Sequence, residues 1–289
     1  MKRGTILLMW FLSTVCFSQN GSIYSFFANK LLVDWTKIEI PVSDKLRQQY
    51  ANSLKPHFKD LFITPWNNTP YSMSKFIPCL HFVNLNGDQY PDVIYYGYSG
   101  SESNSTDIFL NDGNRFKKIY SGYGFLEQIG YNLKNNLSSF TIMYTGCCSE
   151  YIETQTRYQV DDVFNLKVEF KRSIVIYTEQ PLARFEKPVR FKTLNEGYTL
   201  RSTTKIDNKP GSINGDDRKG NIVSVYPQNS YGTAWAEKQD STGRIWWFVE
   251  MDPVKSLKDN IIYTLDGGVS RHVGWISSRY VEKIEQDKK

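Results

Sequence analysis

The sequence predicts a mainly β protein: a β-rich N-terminal domain, a partial propeller-like or meander sheet with one short helix, followed by a smaller C-terminal β unit. Three observations carry this. Aromatic side chains make up 15 % of the 289 residues, with 19 Tyr, 17 Phe and 7 Trp, and pleated, half-buried surfaces favour such residues. From Phe76 onward, short apolar runs alternate with clusters of Gly, Asn, Asp and Ser, the pattern of sequential antiparallel strands. Good helical spacing occurs in one stretch alone. A content of 40 % hydrophobic and 22 % charged residues is that of a globular chain and excludes a disordered, collagen-like or polytopic membrane protein. The length lies near the limit of roughly 250 to 300 residues at which a single core stops growing, which favours two units.

The elements follow in order. Lys2 and Arg3 precede an apolar run from Ile6 to Phe17 that ends in small residues, so residues 1–18 read as a secretory signal peptide cut before Gln19. A lipoprotein reading would instead make Cys16 the first mature residue. Either way the protein is exported, periplasmic or extracellular, and no membrane span is expected after cleavage. Ser43 can cap a helix from Asp44 to Leu54, with Leu46, Tyr50 and Leu54 at four-residue spacing and Pro56 ending it. Strands are expected at Val93–Tyr96, Phe140–Tyr144, Val163–Phe170 and Ser173–Tyr177, with a polar loop over residues 97–105. The polar stretch 207–220 is a linker or a long loop.

Charge and reactive residues narrow the function classes. The formal net charge of +5 falls to +3 without Lys2 and Arg3, and that remainder is evenly spread: residues 19–190 hold 18 basic and 17 acidic residues, and residues 191–289 hold 15 and 13. Neither half has the basic excess that nucleic acid binding requires. The cysteines left after cleavage are Cys79, Cys147 and Cys148, so an oxidising compartment allows Cys79 to bridge to one of the adjacent pair, or the pair to bridge to each other. His57, His81 and His272 fall in no Cys/His or zinc signature. Glu127, Glu150, Glu153, Asp161 and Asp162 are the carboxylates from which a hydrolase would draw an acid/base pair, but no motif singles them out from ordinary strand and turn residues.

The densest motif is Asn84-Leu85-Asn86-Gly87-Asp88-Gln89-Tyr90-Pro91-Asp92, with oxygen side chains at positions one, three, five and nine and Gly87 for the sharp turn. It resembles the loop of FG-GAP and VCBS-type repeats, and Leu110-Asn111-Asp112-Gly113 resembles the hairpin that follows in the same repeats. The resemblance covers residues 80–120. It implies a calcium site made by the side chains of Asn84, Asn86, Asp88 and Asp92 with the carbonyl of Tyr90. Asn84 stands where the family has Asp, and Gln89 where it has Gly, which leaves two carboxylates and a weaker site. The other reading is a tight Asx turn closed without metal.

A second resemblance covers residues 191–286. Tyr198-Thr199-Leu200-Arg201-Ser202, Lys219-Gly220-Asn221-Ile222-Val223-Ser224-Val225, Trp246-Trp247-Phe248-Val249 and Gly274-Trp275-Ile276-Ser277-Ser278-Arg279-Tyr280-Val281 are similar to successive strands of bacterial SH3-like domains. The family implies a small barrel, residues 207–218 as a loop inside it, and recognition of cell-wall peptides or envelope proteins. Alternation sends Trp246 and Phe248 to one face and Trp247 and Val249 to the other. Four Trp lie within 41 residues here. Tyr231, Trp235 and Trp247 are the candidate ligand contacts, the first two at an expected hairpin tip beside Gly232. The expected function is a non-catalytic exported binding protein; the alternative is a cell-wall or polysaccharide hydrolase targeted by the same module.

Overall fold

The computed structural model of the chain describes residues 33–63, 71–100, 103–146, 151–182, 184–211, 220–255, 257–262 and 269–284. The signal sequence, Cys147, Cys148, Glu150 and residues 212–219 lie outside them. The protein is mainly β. Short helices come first: α1 (Trp35–Ile38), α2 (Asp44–Leu54), α3 (Lys59–Ile63) and α4 (Met73–Phe76). The strands are β1 (Leu80–Val83), β2 (Asp92–Tyr98), β3 (Asn104–Asn111), β4 (Phe116–Tyr123), β5 (Phe125–Tyr131), β6 (Leu137–Thr145), β7 (Ile152–Val160), β8 (Leu166–Val175), β9 (Arg184–Thr193), β10 (Tyr198–Arg201), β11 (Ile222–Tyr226), β12 (Tyr231–Gln239), β13 (Ile245–Met251), β14 (Arg271–Ser277) and β15 (Val281–Lys283). Four helices among the described residues stand where one was expected. The expected one, α2, has the foreseen bounds, and the Ser43 hydroxyl accepts from the Leu46 N–H at its start.

The strands β1 to β4 form a four-stranded antiparallel meander. One face, with Phe82, Val93, Tyr95 and Phe109, buries against Leu54, Leu61 and Phe76 of the helices. The other, with Ile94, Ile108 and Leu110, packs on Leu126, Leu137, Phe140 and Ile142 of β5 and β6. A second antiparallel meander, β5 to β8, is thus stacked on the first.

That second meander does not end at β8. The larger sheet runs β15-β9-β12-β13-β14-β8-β7-β6-β5, joined by a parallel pairing of Arg271–Val273 with Arg172–Ile174. The two sheets stay open. The small closed barrel expected for residues 191–286 is absent because the outer edge of β14 is occupied by β8, while β10 pairs with β14 at a single position, Arg201 opposite Trp275. The expected boundary at 190/191 falls inside β9, which pairs with both β12 and β15. β13 is covered on both faces: Trp247, Val249 and Met251 pack with Phe191, Leu200 and Tyr226 on one, and Trp246 and Phe248 with Ile174, Val273 and Trp275 on the other. The foreseen alternation is therefore met, with a buried surface on each side. The runs Val163–Phe170 and Ser173–Tyr177 are joined in the single strand β8, preceded by a turn in which Phe164 adopts φ 63°.

Candidate functional site

The Asn84–Asp92 loop links β1 to β2 and closes itself with hydrogen bonds. Asn84 Oδ1 accepts from Gly87 N at 2.7 Å while its Nδ2 donates to the Asp88 carbonyl at 2.7 Å. Asn86 Nδ2 donates to Asp88 Oδ2 at 2.6 Å, and Asp88 Oδ1 accepts from Tyr90 N at 2.7 Å. Gly87, at φ 74°, supplies the left-handed turn that permits this. Asp92 is fully buried, its two oxygens taking the N–H groups of Leu85 and Asn111 at 2.7 and 2.8 Å. Burial pushes its carboxyl up to about 6 in spite of those two donors. The Tyr90 ring lies under the β3–β4 hairpin, where a Cβ on Gly113 would strike it at 2.5 Å. In this arrangement both Asn amide nitrogens face oxygens of Asp88, so calcium coordination requires those side chains to turn over. Among the described residues no group of three or more His, Cys, Asp or Glu is placed to hold a metal ion.

The three candidate aromatic contacts separate in space. Tyr231 opens β12 and does not sit at a hairpin tip; it is 45 % exposed, with the Arg190 guanidinium 5.8 Å from its ring centre and Arg190 paired to Asp252. Trp235 sits at a β-bulge between Ala234 and Ala236 and packs, half-buried, on the cluster of Trp246, Phe248 and Trp275. Trp247 is 5 % exposed, set edge-on to Phe185 and Phe191, so it fills the core and offers no ligand surface.

A different group of residues lines the surface of the C-terminal half. A cavity of about 310 Å³ is walled by Tyr198, Arg201, Arg244, Trp246, Arg279 and Tyr280. It shares Ile206, Arg244 and Arg279 with a larger hollow of about 670 Å³ that adds Lys205, Lys238 and the turn at Asp240. The turn is closed on Asp240, which accepts from Thr242 Oγ1 at 2.6 Å, from Trp246 Nε1 at 2.9 Å and from Thr242 N and Arg244 N at 2.9 and 3.0 Å, and these donors hold its carboxyl well below the usual range. Its charge is thereby committed to local donors. Arg201 is structural, bonded to the Asp207 carbonyl and to Asn221 and Asn208. Lys238 is paired with Glu179. Arg244 lies over the Trp246 ring at 5.6 Å, and its buried Nε has no hydrogen-bond partner among the described residues. Neither Arg244 nor Arg279 has a carboxylate partner among them. Tyr280, 52 % exposed, forms one lip. Two unspent guanidiniums with flanking aromatic rings are the donor set for planar anions such as carboxylates.

Arg201 and Arg279 stand within the segments whose sequence resembles SH3-like strands, and Arg244 directly precedes the apolar strand 245–249. Only Arg279 has an aromatic as its direct neighbour, Tyr280, and Trp246 stands two residues beyond Arg244, so the sequence carries no common signal for the group.

Of the carboxylates from which a hydrolase would draw an acid/base pair, Glu127 and Asp161 are engaged in local hydrogen bonds. Glu127 accepts from Gln155 Nε2 at 2.5 Å. Asp161 caps its turn by accepting from Val163 N and Asn165 N. Cys79 carries a free thiol, with its Sγ 3.7 Å from the Tyr71 hydroxyl. Among the described residues no helix is long and apolar enough to cross a membrane. No family model, curated protein or solved structure matches the chain.

Proposed function

We propose that the mature chain is a non-catalytic exported binding protein. Its C-terminal half, which resembles bacterial SH3-like modules, recognises a carboxylate-bearing peptide of the cell wall or of an envelope protein. The observation that carries this reading is the groove lined by Arg244, Arg279, Trp246 and Tyr280, in which neither arginine has an acidic partner among the described residues. Charged guanidiniums held in a partly dry, aromatic-walled cleft gain more from an incoming carboxylate than they would in open water. The stacked N-terminal meanders, with the FG-GAP-like loop at their junction, are read as the support; calcium at that loop is part of the proposal.

The test uses the full mature chain and purified sacculi. Co-sedimentation is expected, weakening as salt is raised, and the double variant Arg244→Glu, Arg279→Glu is expected to lower the bound fraction by at least about tenfold, since each lost charge-assisted contact is worth roughly 1.5 to 3 kcal/mol. Binding to neither sacculi nor isolated envelope proteins, or binding unchanged in the variant, overturns the reading. Release of soluble fragments from the sacculi would identify a hydrolase instead.

A further inference from the structure

The N-terminal half carries a second cavity, of about 380 Å³, between the α2–α3 segment and the β2–β4 strands. Its lining has a different chemistry. The floor is Asp107, whose Oδ1 lies 2.8 Å from Lys118 Nζ, with the ammonium also seated over the Phe58 and Phe109 rings at 5.4 and 5.2 Å. The one lysine of the pocket is therefore neutralised in place. Asp107 stands opposite Ser121, and Ser105 opposite Tyr123, so these four side chains share one face of β3 and β4. Tyr123, 53 % exposed, forms the rim, and His57 and Asp60 project from the helical wall. The Tyr98 hydroxyl, also at the lining, is buried with no hydrogen-bond partner among the described residues.

This donor set selects among ligand classes. A phosphate or carboxylate needs an unspent cation, and Lys118 is already paired. A metal ion needs clustered free carboxylates, and Asp107 is already paired. What remains is a mixed set of serine and tyrosine hydroxyls, an imidazole and the Asp60 carboxylate, flanked by Phe58, Tyr98 and Tyr123. Each hydroxyl can both donate and accept, and the half-exposed Tyr123 ring at the rim offers an apolar face. The volume is within the range of small-molecule sites, about 300 to 1,000 Å³. A neutral ligand that is polar at its rim and apolar on its ring faces matches this lining. We propose that this pocket binds a saccharide, a mono- or disaccharide unit, at a site separate from the arginine groove.

The experiment titrates isotope-labelled full mature protein with N-acetylglucosamine, its β-1,4 disaccharide and cellobiose, with inorganic phosphate and glycine as controls. Saturable shifts are expected at the amides of Ser105, Ser121 and Tyr123 for at least one sugar and for neither control. Ser121→Trp, placed on an exposed strand position, closes the mouth and is expected to weaken binding at least about tenfold, as is Asp60→Ala, which leaves the cavity open. The Arg244→Glu, Arg279→Glu variant is expected to keep sugar binding intact, so failure here is distinct from failure of the peptide reading. No shift with any sugar, shifts with phosphate or glycine instead, or equal affinity in both pocket variants overturns the proposal.

Discussion

His272 on β14 is enclosed between strands, with its Nδ1 3.1 Å from Ser224 Oγ and its ring 6.3 Å from that of Tyr226. Among the described residues no charged group offsets its burial, and desolvation pulls it down to about 4. An unfolded histidine titrates near 6.5. Because the folded value is the lower one, the unfolded chain binds more protons between those limits, and the stability present above about pH 6.5 is lost as pH falls toward 4. At about 1.4 kcal/mol per unit this amounts to roughly 3 kcal/mol. Asp92 works in the opposite sense: raised to about 6, it takes up a proton more readily when folded, so its contribution to stability grows as pH falls through the same window. The two effects offset each other in the wild type. His272→Gln unmasks the Asp92 term: its melting temperature relative to wild type is expected to rise as pH is lowered from 7 to 4.5, as followed by circular dichroism. A difference that stays constant with pH would show that His272 titrates normally. The sequence could not indicate this, since a histidine in an apolar strand looks the same whether one face of the strand is covered or both.

Individual elements were legible where a local rule decides them. The helix α2 was bounded by its cap and by Pro56, and the Asn111–Phe116 hairpin by Gly113 at φ 87°. Trp246 and Trp247 were assigned to opposite faces by strand period alone. What the period cannot supply is what lies against each face, so Trp247 read as a possible contact and proved to be core. The continuity of β8 was hidden for a related reason. Lys171-Arg172 looked like a polar break between two runs, yet Arg172 is buried within the sheet. The Asn84–Asp92 loop was found from its oxygen spacing, which calcium loops and self-bonded Asx turns share. The two are separable by experiment. Asp88→Ala removes the acceptors of Tyr90 N and Asn86 Nδ2 and is expected to cost about 1 to 2 kcal/mol in chelator as well as in calcium. A cost that appears only with calcium present in urea titrations would assign Asp88 to the metal.

At the scale of the whole molecule, the two halves meet along one face of the large sheet. Glu250 on β13 opposes Val273, which opposes Ile174, while Arg271 opposes Arg172 and Arg172 opposes Gln155. Glu250, its side chain 3 % exposed, therefore reaches across β14, with Oε1 3.5 Å from both Arg172 Nε and Arg271 Nη1. An ion pair this deep repays its desolvation poorly, but losing one partner strands a buried charge. Beside it, the three-residue parallel pairing of β14 with β8 and the apolar strip from Met143 to Trp246 complete the junction. Residues 191–289 alone would expose Trp246, Phe248 and Trp275 on that face and leave Glu250 without Arg172, so the two halves are expected to unfold together. Arg172→Met is accordingly expected to lower the stability of the full chain by about 3 kcal/mol and to do so across both halves in a single transition. Adding Glu250→Gln should recover much of the loss, because a buried carboxylate left with the part-exposed Arg271 as its ion partner is then gone. If near-ultraviolet circular dichroism and fluorescence instead reveal two separate transitions in Arg172→Met, with the C-terminal tryptophans unaffected by the first, the halves fold independently and the buried pair is a local contact between two domains.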